Sequence, residues 1–312
     1  MDLTISIVNA GSRDLLLTCL DSLHRGIHGD LSVEVVVLDN ASEDGSVDAV
    51  RQRFPEVKVL AQEFRAGFAA NHNSVIRATS GRYILVVNPD TFSDDWCLAR
   101  LVSELDAHPC VAALGPRLVY PNGRPQASAW RFPTPVRCVL GLITMGRAGI
   151  TQSTGAQPRR VDWLMGSALM LRREAVAEVG LFDESFFLYF EEVDLCLRLH
   201  RAGWQMRYFP EVTVFHHKGE LSGYVPQRRI NEWWRGQHRY WRKNHSAVGA
   251  RIAALAIGAR YLAAAARGLA RRESAHAELM WLYARNAWRV DGPGLRELAE
   301  EWNARVVAST PR

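Results

Sequence analysis

Over the first 115 residues, short β-branched apolar runs alternate with longer segments whose apolar residues recur every three or four positions. This pattern predicts strands over 3–8, 33–38, 57–61, 83–87 and 111–114. It predicts helices over 13–24, 46–54, 67–79 and 94–107, the last capped by Ser93. In VEVVVLD and YILVVN the apolar residues run continuously instead of alternating, so both faces of the sheet are expected to be covered. The implied fold is α/β, with an open, mostly parallel, doubly wound sheet and helices on both faces. Beyond residue 114, Tyr120-Pro-Asn-Gly-Arg-Pro reads as a hairpin or loop tip, and 133–158, rich in Pro, Gly and Thr, as a mobile loop over the site. Order resumes over 161–172, followed by a short helix ending near Gly180 and a second from about Glu191 to Gly203. From Gln227 onward the pattern is helical, which divides the chain into a domain over 1–225 and a helical extension over 226–312.

Charge sharpens this division. Through His217 there are 21 basic and 25 acidic residues, a net −4, and after it 17 and 8, a net +9. Six of the ten tryptophans, Trp233, Trp234, Trp241, Trp281, Trp288 and Trp302, lie in the basic part. A basic, aromatic appendage suits nucleic acid or an anionic membrane surface. Within it Leu255, Ala259, Leu262, Ala266 and Leu269 recur at helical spacing, while Arg260, Arg267 and Arg271 share another face. That predicts an amphipathic helix lying in a membrane interface with Trp233, Trp234 and Trp241 at headgroup depth, and not crossing the bilayer. A cap packed on the domain or a homo-oligomer contact is the alternative. The rest of the composition, 48% hydrophobic and 23% charged, excludes collagen-like, disordered and multipass membrane chains. Cys19, Cys97, Cys110, Cys138 and Cys196 never form a CxxC, which argues against a disulfide framework or zinc knuckle and for a reducing cytoplasm. The opening MDLTISIVNAGS lacks the basic stretch and cleavage site of a signal peptide.

The chain has no GxGxxG after a strand, no GxxxxGK[ST], no HExxH and no GxSxG, which removes the main support for dinucleotide enzymes, P-loop NTPases, zincins and α/β-hydrolases. Ligands of open α/β sheets bind beyond the carboxyl ends of the strands, so Val8-Asn9-Ala-Gly, Asp39-Asn-Ala-Ser and Asn88-Pro-Asp90 are the segments to read. An isolated Asp-Asn is most often a turn former, but at a strand end Asp39 can accept hydrogen bonds from a base imide or ribose hydroxyl. Arg65-Ala-Gly67-Phe-Ala-Ala-Asn-His-Asn73 opens a helix whose N-terminus, with Arg65, offers positive potential to phosphate, and Gly67 allows close backbone approach. Asp90, after a buried apolar strand and a proline, can present a hard oxygen to Mg2+ or Mn2+. Glu191, Glu192 and Asp194 begin a helix just after FDESFFLYF. Helix-dipole compensation explains acids there but not the six large apolar residues before them, which would desolvate a carboxylate towards the pKa of a general base. His216 could complete a metal site with Asp90.

The blocks VNAG, LDNAS, GFAANHN, VVNPD, WLMGSALMLRR, GLFDESFFLYFEEVDLCLRLHRAGW and VFHH together resemble the inverting glycosyltransferases of family 2, which have the GT-A fold. Within that family the chain is most similar to bacterial rhamnosyltransferases of cell-wall and O-antigen assembly. The resemblance spans roughly residues 3–245. It implies that Asp39 contacts the nucleoside, that Asp90 is the metal-binding aspartate of a degenerate DxD, that Glu192 is the catalytic base, and that His216 is a second metal ligand. Glu191 or Asp194 would orient the acceptor or pair with Arg198, and Trp163 and Gly166 would line the acceptor side. Arg65 stands where the family often has asparagine, and His72 replaces the first residue of an Asn-Asn pair. The implied reaction moves a sugar from a nucleotide-diphosphate donor, dTDP-rhamnose before UDP-galactofuranose or a UDP-hexose, to a glycan or lipid-linked acceptor. It would take place in the cytoplasm or at the inner face of the cytoplasmic membrane. A non-catalytic saccharide-binding scaffold is opposed by the joint presence of Asp90, Glu192 and His216. A nucleic-acid-binding role rests only on RRINEWWRGQHRYWRKNH and is not the expectation.

Overall fold

The computed structural model describes residues 1–27, 29–146, 149–217 and 226–309. Its apolar runs become β1 (Leu3–Asn9), β2 (Val33–Asp39), β3 (Lys58–Ala61) and β4 (Tyr83–Val87), parallel neighbours in the order β3-β2-β1-β4. The intervening segments form α1 (Arg13–Gly26), α2 (Ser46–Arg53) and α3 (Phe68–Arg77). Alternate residues of β4 point to opposite sides: Leu85 and Val87 join Leu16, Leu20 and Leu101 in one core, while Ile84 and Val86 join Leu195, Leu199 and Phe186 in another. Both faces are covered, as continuous runs require.

The far half of the sheet is mixed. A two-residue β5 (Thr91–Phe92) and α4 (Leu98–Ala107) precede β6 (Val111–Val119), whose hairpin partner is β7 (Pro125–Gln126). The Tyr120–Arg124 turn is closed by hydrogen bonds from Tyr120 N to Arg124 O and from Gly123 N to Tyr120 O. Next come β8 (Ala129–Trp130), α5 (Pro135–Ile143), β9 (Arg159–Val161), β10 (Trp163–Leu164), β11 (Ala168–Arg172), α6 (Arg173–Val179), α7 (Glu191–Arg201) and β12 (Gln205–His216). The main sheet runs β3-β2-β1-β4-β11-β6-β12-β5, with β11 antiparallel between β4 and β6. After β3 the chain returns to the other side of β1, so the parallel strand order reverses between β1 and β4. That is where open α/β sheets form their binding crevice.

Two expectations are corrected. The fourth helix starts at Leu98, not Asp94, because the Asp95 carboxylate accepts the Cys97 N–H at 2.9 Å in a local turn and Trp96 is buried with its indole N–H on Ser22. Ser93 instead donates to Thr213 O at 2.7 Å. The stretch expected as a loop over 133–158 contains α5, started by the Thr134 hydroxyl accepting Arg137 N–H, with Pro135 at its first turn. Residues 147 and 148 of that stretch lie outside the described residues.

The C-terminal helices are α8 (Pro226–Asn244), α9 (Ala247–Ala270), α10 (Ser274–Trp288) and α11 (Leu295–Ser309). The expected boundary at 225 falls on residues 218–225, which are outside the described ones. Helix α9 is long and apolar enough to cross a membrane by length and composition, with a mean hydropathy of 1.3. It packs inward through small residues, Ala253, Ala256, Gly258, Ala265 and Gly268, and its larger Ile252, Leu255 and Leu269 are exposed.

Candidate active site

At the crevice, Asn9 ends β1 and Asp39 ends β2, in register with each other. The Asn9 amide donates to Asp39 Oδ1 at 2.9 Å and to Ser42 Oγ at 3.1 Å, and Ser42 N–H donates to Asp39 Oδ2 at 2.9 Å. Asp39 is thus fixed by the β1–β2 register and the turn after it. Val8 is half-buried beside them, packed on Leu38 and Val75.

The segment opening α3 is pinned from two sides. Asn40 and Ala66 exchange hydrogen bonds at 2.8 and 3.1 Å. Asn303 of α11 exchanges two more with the Arg65 backbone, and the Arg65 guanidinium lies over the Trp302 ring, 4.4 Å from its centroid. Gly67 does allow a close approach, but in this structure the neighbour is protein: a Cβ there would come within 2.5 Å of Phe187 O. Asn73 is also engaged by protein. Its amide donates to Phe182 O and Glu184, and its oxygen accepts Phe182 N–H. It is buried and serves to anchor the FDESFF loop to α3, where a nucleotide contact was expected. His72 is buried on Ser6 Oγ at 2.8 Å, and desolvation pushes its pKa down to about 3.

Asp90 and His216 meet because β5 pairs with the end of β12, Thr91 opposite His216. Asp90 O accepts His217 N–H at 3.0 Å, and Asp90 Oδ1 lies 3.5 Å from His216 Nε2. Both side chains are buried, and Asp90 Oδ1 has no hydrogen-bond partner. His216 Nδ1 sits 2.8 Å from the Gln126 side-chain carbonyl oxygen, to which it donates, and Nε2 faces Asp90. A carboxylate oxygen without a hydrogen-bond partner facing an imidazole nitrogen is a donor set that fits a small divalent cation. Among the described residues, no third His, Cys, Asp or Glu completes a metal-binding group.

The glutamates lie at the start of α7, after Tyr189 and Phe190, which have φ of 71° and 72°. Two successive non-glycine residues in the left-handed region are strained. Helix α8 packs against the turn: a Cβ on Gly236 would come within 2.5 Å of Tyr189 O. Burial raises Glu192 to about 7, although backbone N–H groups, its own and that of Gly166 among them, pull it back. Glu192 is half-buried, and its Oε2 has no partner. Glu191 is buried and held well above the usual carboxylate range by desolvation and the neighbouring Glu192 charge. Asp194 has another task. It is wholly buried and takes Arg198 at 2.8 Å, Lys243 at 2.8 Å and the Asn244 amide at 3.1 Å. Those contacts tie α7 to α8 and occupy both oxygens of a carboxylate that no acceptor can reach from solvent, so the expectation of a catalytic Asp194 gives way to its alternative, the pairing with Arg198.

The turn between β10 and β11 links the two chemical groups. Gly166 N–H serves Glu192, and Ser167 O accepts Asn88 N–H at 2.9 Å. Gly166 also packs on Phe68, whose ring a Cβ would meet at 3.3 Å. Trp163 is half-exposed and stacks on Trp130, ring centroids 4.4 Å apart. Sequence reasoning missed Gln126, Trp130 and Asn303. No local pattern marks any of them, since each acts on a residue distant in sequence.

The sequence over residues 3–180 matches Glycosyl transferase family 2. Over 233 residues it is 31% identical to the N-acetylglucosaminyl-diphospho-decaprenol L-rhamnosyltransferase of Mycobacterium tuberculosis, covering 69% of this chain and 76% of that one. Rhamnosyltransferase WbbL of Escherichia coli is 23% identical over 224 residues, 68% of this chain and 82% of its own. A solved mannosyltransferase of Pyrobaculum calidifontis, in complex with GDP-Man and Mn2+, shares the fold with a TM-score of 0.56 at 19% identity, covering 98% of this chain and 85% of that one. With its mostly parallel sheet, its crevice and these relatives, the chain belongs to glycosyl transferase family 2 and is a glycosyltransferase of GT-A fold with a C-terminal helical extension.

Proposed function

We propose that the protein transfers L-rhamnose from dTDP-rhamnose to a hydroxyl of a glycan or lipid-linked acceptor, with inversion at the anomeric carbon. The observation that carries this reading is the 166–167 turn, which joins the Asn88-Pro-Asp90 segment to the Glu192 carboxylate. The names of the mycobacterial and E. coli relatives supply the choice of sugar. Asp39, locked between Asn9 and Ser42, would receive the nucleoside. The same carboxylate suits uridine, so a UDP-galactofuranose or UDP-hexose donor is the alternative.

Asp90 Oδ1 and His216 Nε2 would hold Mg2+ or Mn2+. Such an ion, when bound, supplies positive charge against the departing diphosphate. Gln126 keeps the His216 proton on Nδ1, and burial excludes water from Asp90. Glu192 Oε2 takes the acceptor proton while the hydroxyl oxygen bonds to the anomeric carbon and the bond to the diphosphate breaks. A carboxylate near 7 is half ionised at neutral pH and still basic enough for that transfer. The stacked Trp130–Trp163 pair offers an aromatic face to a sugar ring on the acceptor side.

An anionic membrane surface is the proposed second partner. Exposed Val136 and Leu140 of α5 and exposed Ile252 of α9 line an apolar hollow of about 260 Å3, and Ile143 of α5 and Leu255 of α9 are exposed on the same two helices. Of the expected membrane contacts, Trp234 and Trp241 are buried within the fold and Arg260 is half-buried, so the expectation of headgroup-depth tryptophans is corrected. Arg267 and Arg271, joined by Arg251, are exposed on α9 or at its end, which pairs an apolar face with basic side chains, as interfacial helices do.

The test is donor hydrolysis and transfer by purified protein across a panel of nucleotide sugars. Fastest turnover of dTDP-rhamnose supports the reading. Turnover of a UDP-sugar with none of dTDP-rhamnose transfers the assignment to the alternative donor, and no turnover of any donor overturns it.

A further inference from the structure

Outside the crevice the structure holds a cavity of about 460 Å3 between α8, the 185–187 loop and the 288–297 segment. Its α8 wall carries Arg235, Arg239 and Arg242 at four- and three-residue spacing, so the three guanidinium stems share one helix face. Arg296 of α11 joins them. Two of the four are already engaged: Arg235 pairs with Glu297, and Arg296 donates to Ser185 O at 2.8 Å and lies over the Phe187 ring. Arg239 and Arg242 form no ion pair among the described residues, although Arg239 is half-buried. Arg242 is exposed beside it, so both guanidinium groups are open to an anion.

The place of the cavity says which anion. Phe187 forms its wall on one side and abuts Gly67 of the donor segment on the other. The loop runs on through the strained 189–190 turn to Glu191 and Glu192, and Glu232 on the cavity wall adds to the repulsion that raises Glu191. The cavity therefore adjoins the 185–192 segment that ends in the candidate base. We propose that it binds the phosphoryl oxygens of a phosphate-ester acceptor, Arg239 and Arg242 taking the anion while the acceptor hydroxyl reaches Glu192. This deepens, and rests on, the glycosyltransferase reading above. Guanidinium forks suit phosphate oxygens by geometry as well as charge.

Inorganic pyrophosphate is the probe, titrated calorimetrically in EDTA so that no cation draws it to Asp90. Wild type and Asp90→Ala should bind it alike, and Arg239→Ala/Arg242→Ala should lose about tenfold or more in affinity. Arg239→Lys/Arg242→Lys should keep part of the binding, with melting temperatures unchanged to show an intact fold. In activity assays the Ala pair should hydrolyse the donor at the wild-type rate but show about a tenfold higher KM for an acceptor bearing a diphosphate. Flotation with phosphatidylglycerol vesicles should be unchanged by the pair. No pyrophosphate binding by wild type, or equal binding by the Ala pair, overturns the proposal. Flotation lost with pyrophosphate binding intact overturns it in favour of a lipid headgroup. If wild type turns over no donor, the glycosyltransferase reading fails separately, and the calorimetry still reads the anion site.

Discussion

Asn303 holds the backbone of Arg65 at both polar groups, accepting its N–H at 2.7 Å and donating to its carbonyl at 3.0 Å. A residue near the end of the chain thereby sets the path of a segment at the donor crevice, and Trp302 beside it fixes the Arg65 side chain. Asn303→Ala removes two hydrogen bonds worth about 1 kcal/mol each. The donor KM should rise several-fold with kcat little changed, as initial-rate kinetics would show. An unchanged KM would mean that the clamp does not reach the donor.

The Glu192 carboxylate titrates near 7 because it is desolvated, and a general base works only when deprotonated. The rate should therefore climb with pH through about 7 and level off above it. Glu192→Gln should lower kcat about 10²-fold or more and abolish that limb while leaving donor binding intact. If Glu191→Gln is the inactive variant and Glu192→Gln retains turnover, the roles are exchanged.

Glu191 bears on stability as well. Its folded-state pKa lies well above the usual 4.5, so the folded chain holds that proton more tightly than the unfolded one. The stability this gives is full below pH 4.5 and is lost as pH rises towards the raised value, by up to roughly 1.4 kcal/mol per pH unit. Glu191→Gln should accordingly raise the melting temperature at pH 8 and change it much less at pH 4. The same gain at both values would contradict this account.

The buried Asp90–His216 pair should make transfer depend on a divalent cation. EDTA should abolish turnover, Mg2+ or Mn2+ should restore it, and Asp90→Ala should stay inactive at any metal concentration. Full activity in EDTA would remove the metal assignment.

For the apolar face of α5 and α9, flotation with liposomes is decisive. Binding should require anionic lipid, weaken with salt, and fall when Arg251, Arg267 and Arg271 are changed to Glu. Protein that stays at the bottom of the gradient at low salt would direct the acceptor question towards soluble glycans.

The parallel half of the sheet was legible in the sequence because continuous β-branched runs and strand-end polar residues are local signals. Asp39, Asp90 and the 191–192 pair stand out for the same reason. What did not show was the use made of polar residues by distant partners. Asn73 looks free until Phe182 folds onto it, and Asp194 looks exposed until Lys243 and Asn244 arrive from α8. Helix α5 was hidden because PVRCVLGLI is brief and flanked by Pro, Gly and Thr, whose composition dominates the window.

The pair of left-handed residues before Glu191 behaves as a wound spring. Each left-handed residue costs about 1–2 kcal/mol, so the turn alone would unwind and carry both glutamates round with it. Helix α8 prevents this, with the bare Cα of Gly236 seated against Tyr189 O. The aim of the proposed base is thus set by a latch on another helix, and any side chain at position 236 would release it without touching a single reacting group.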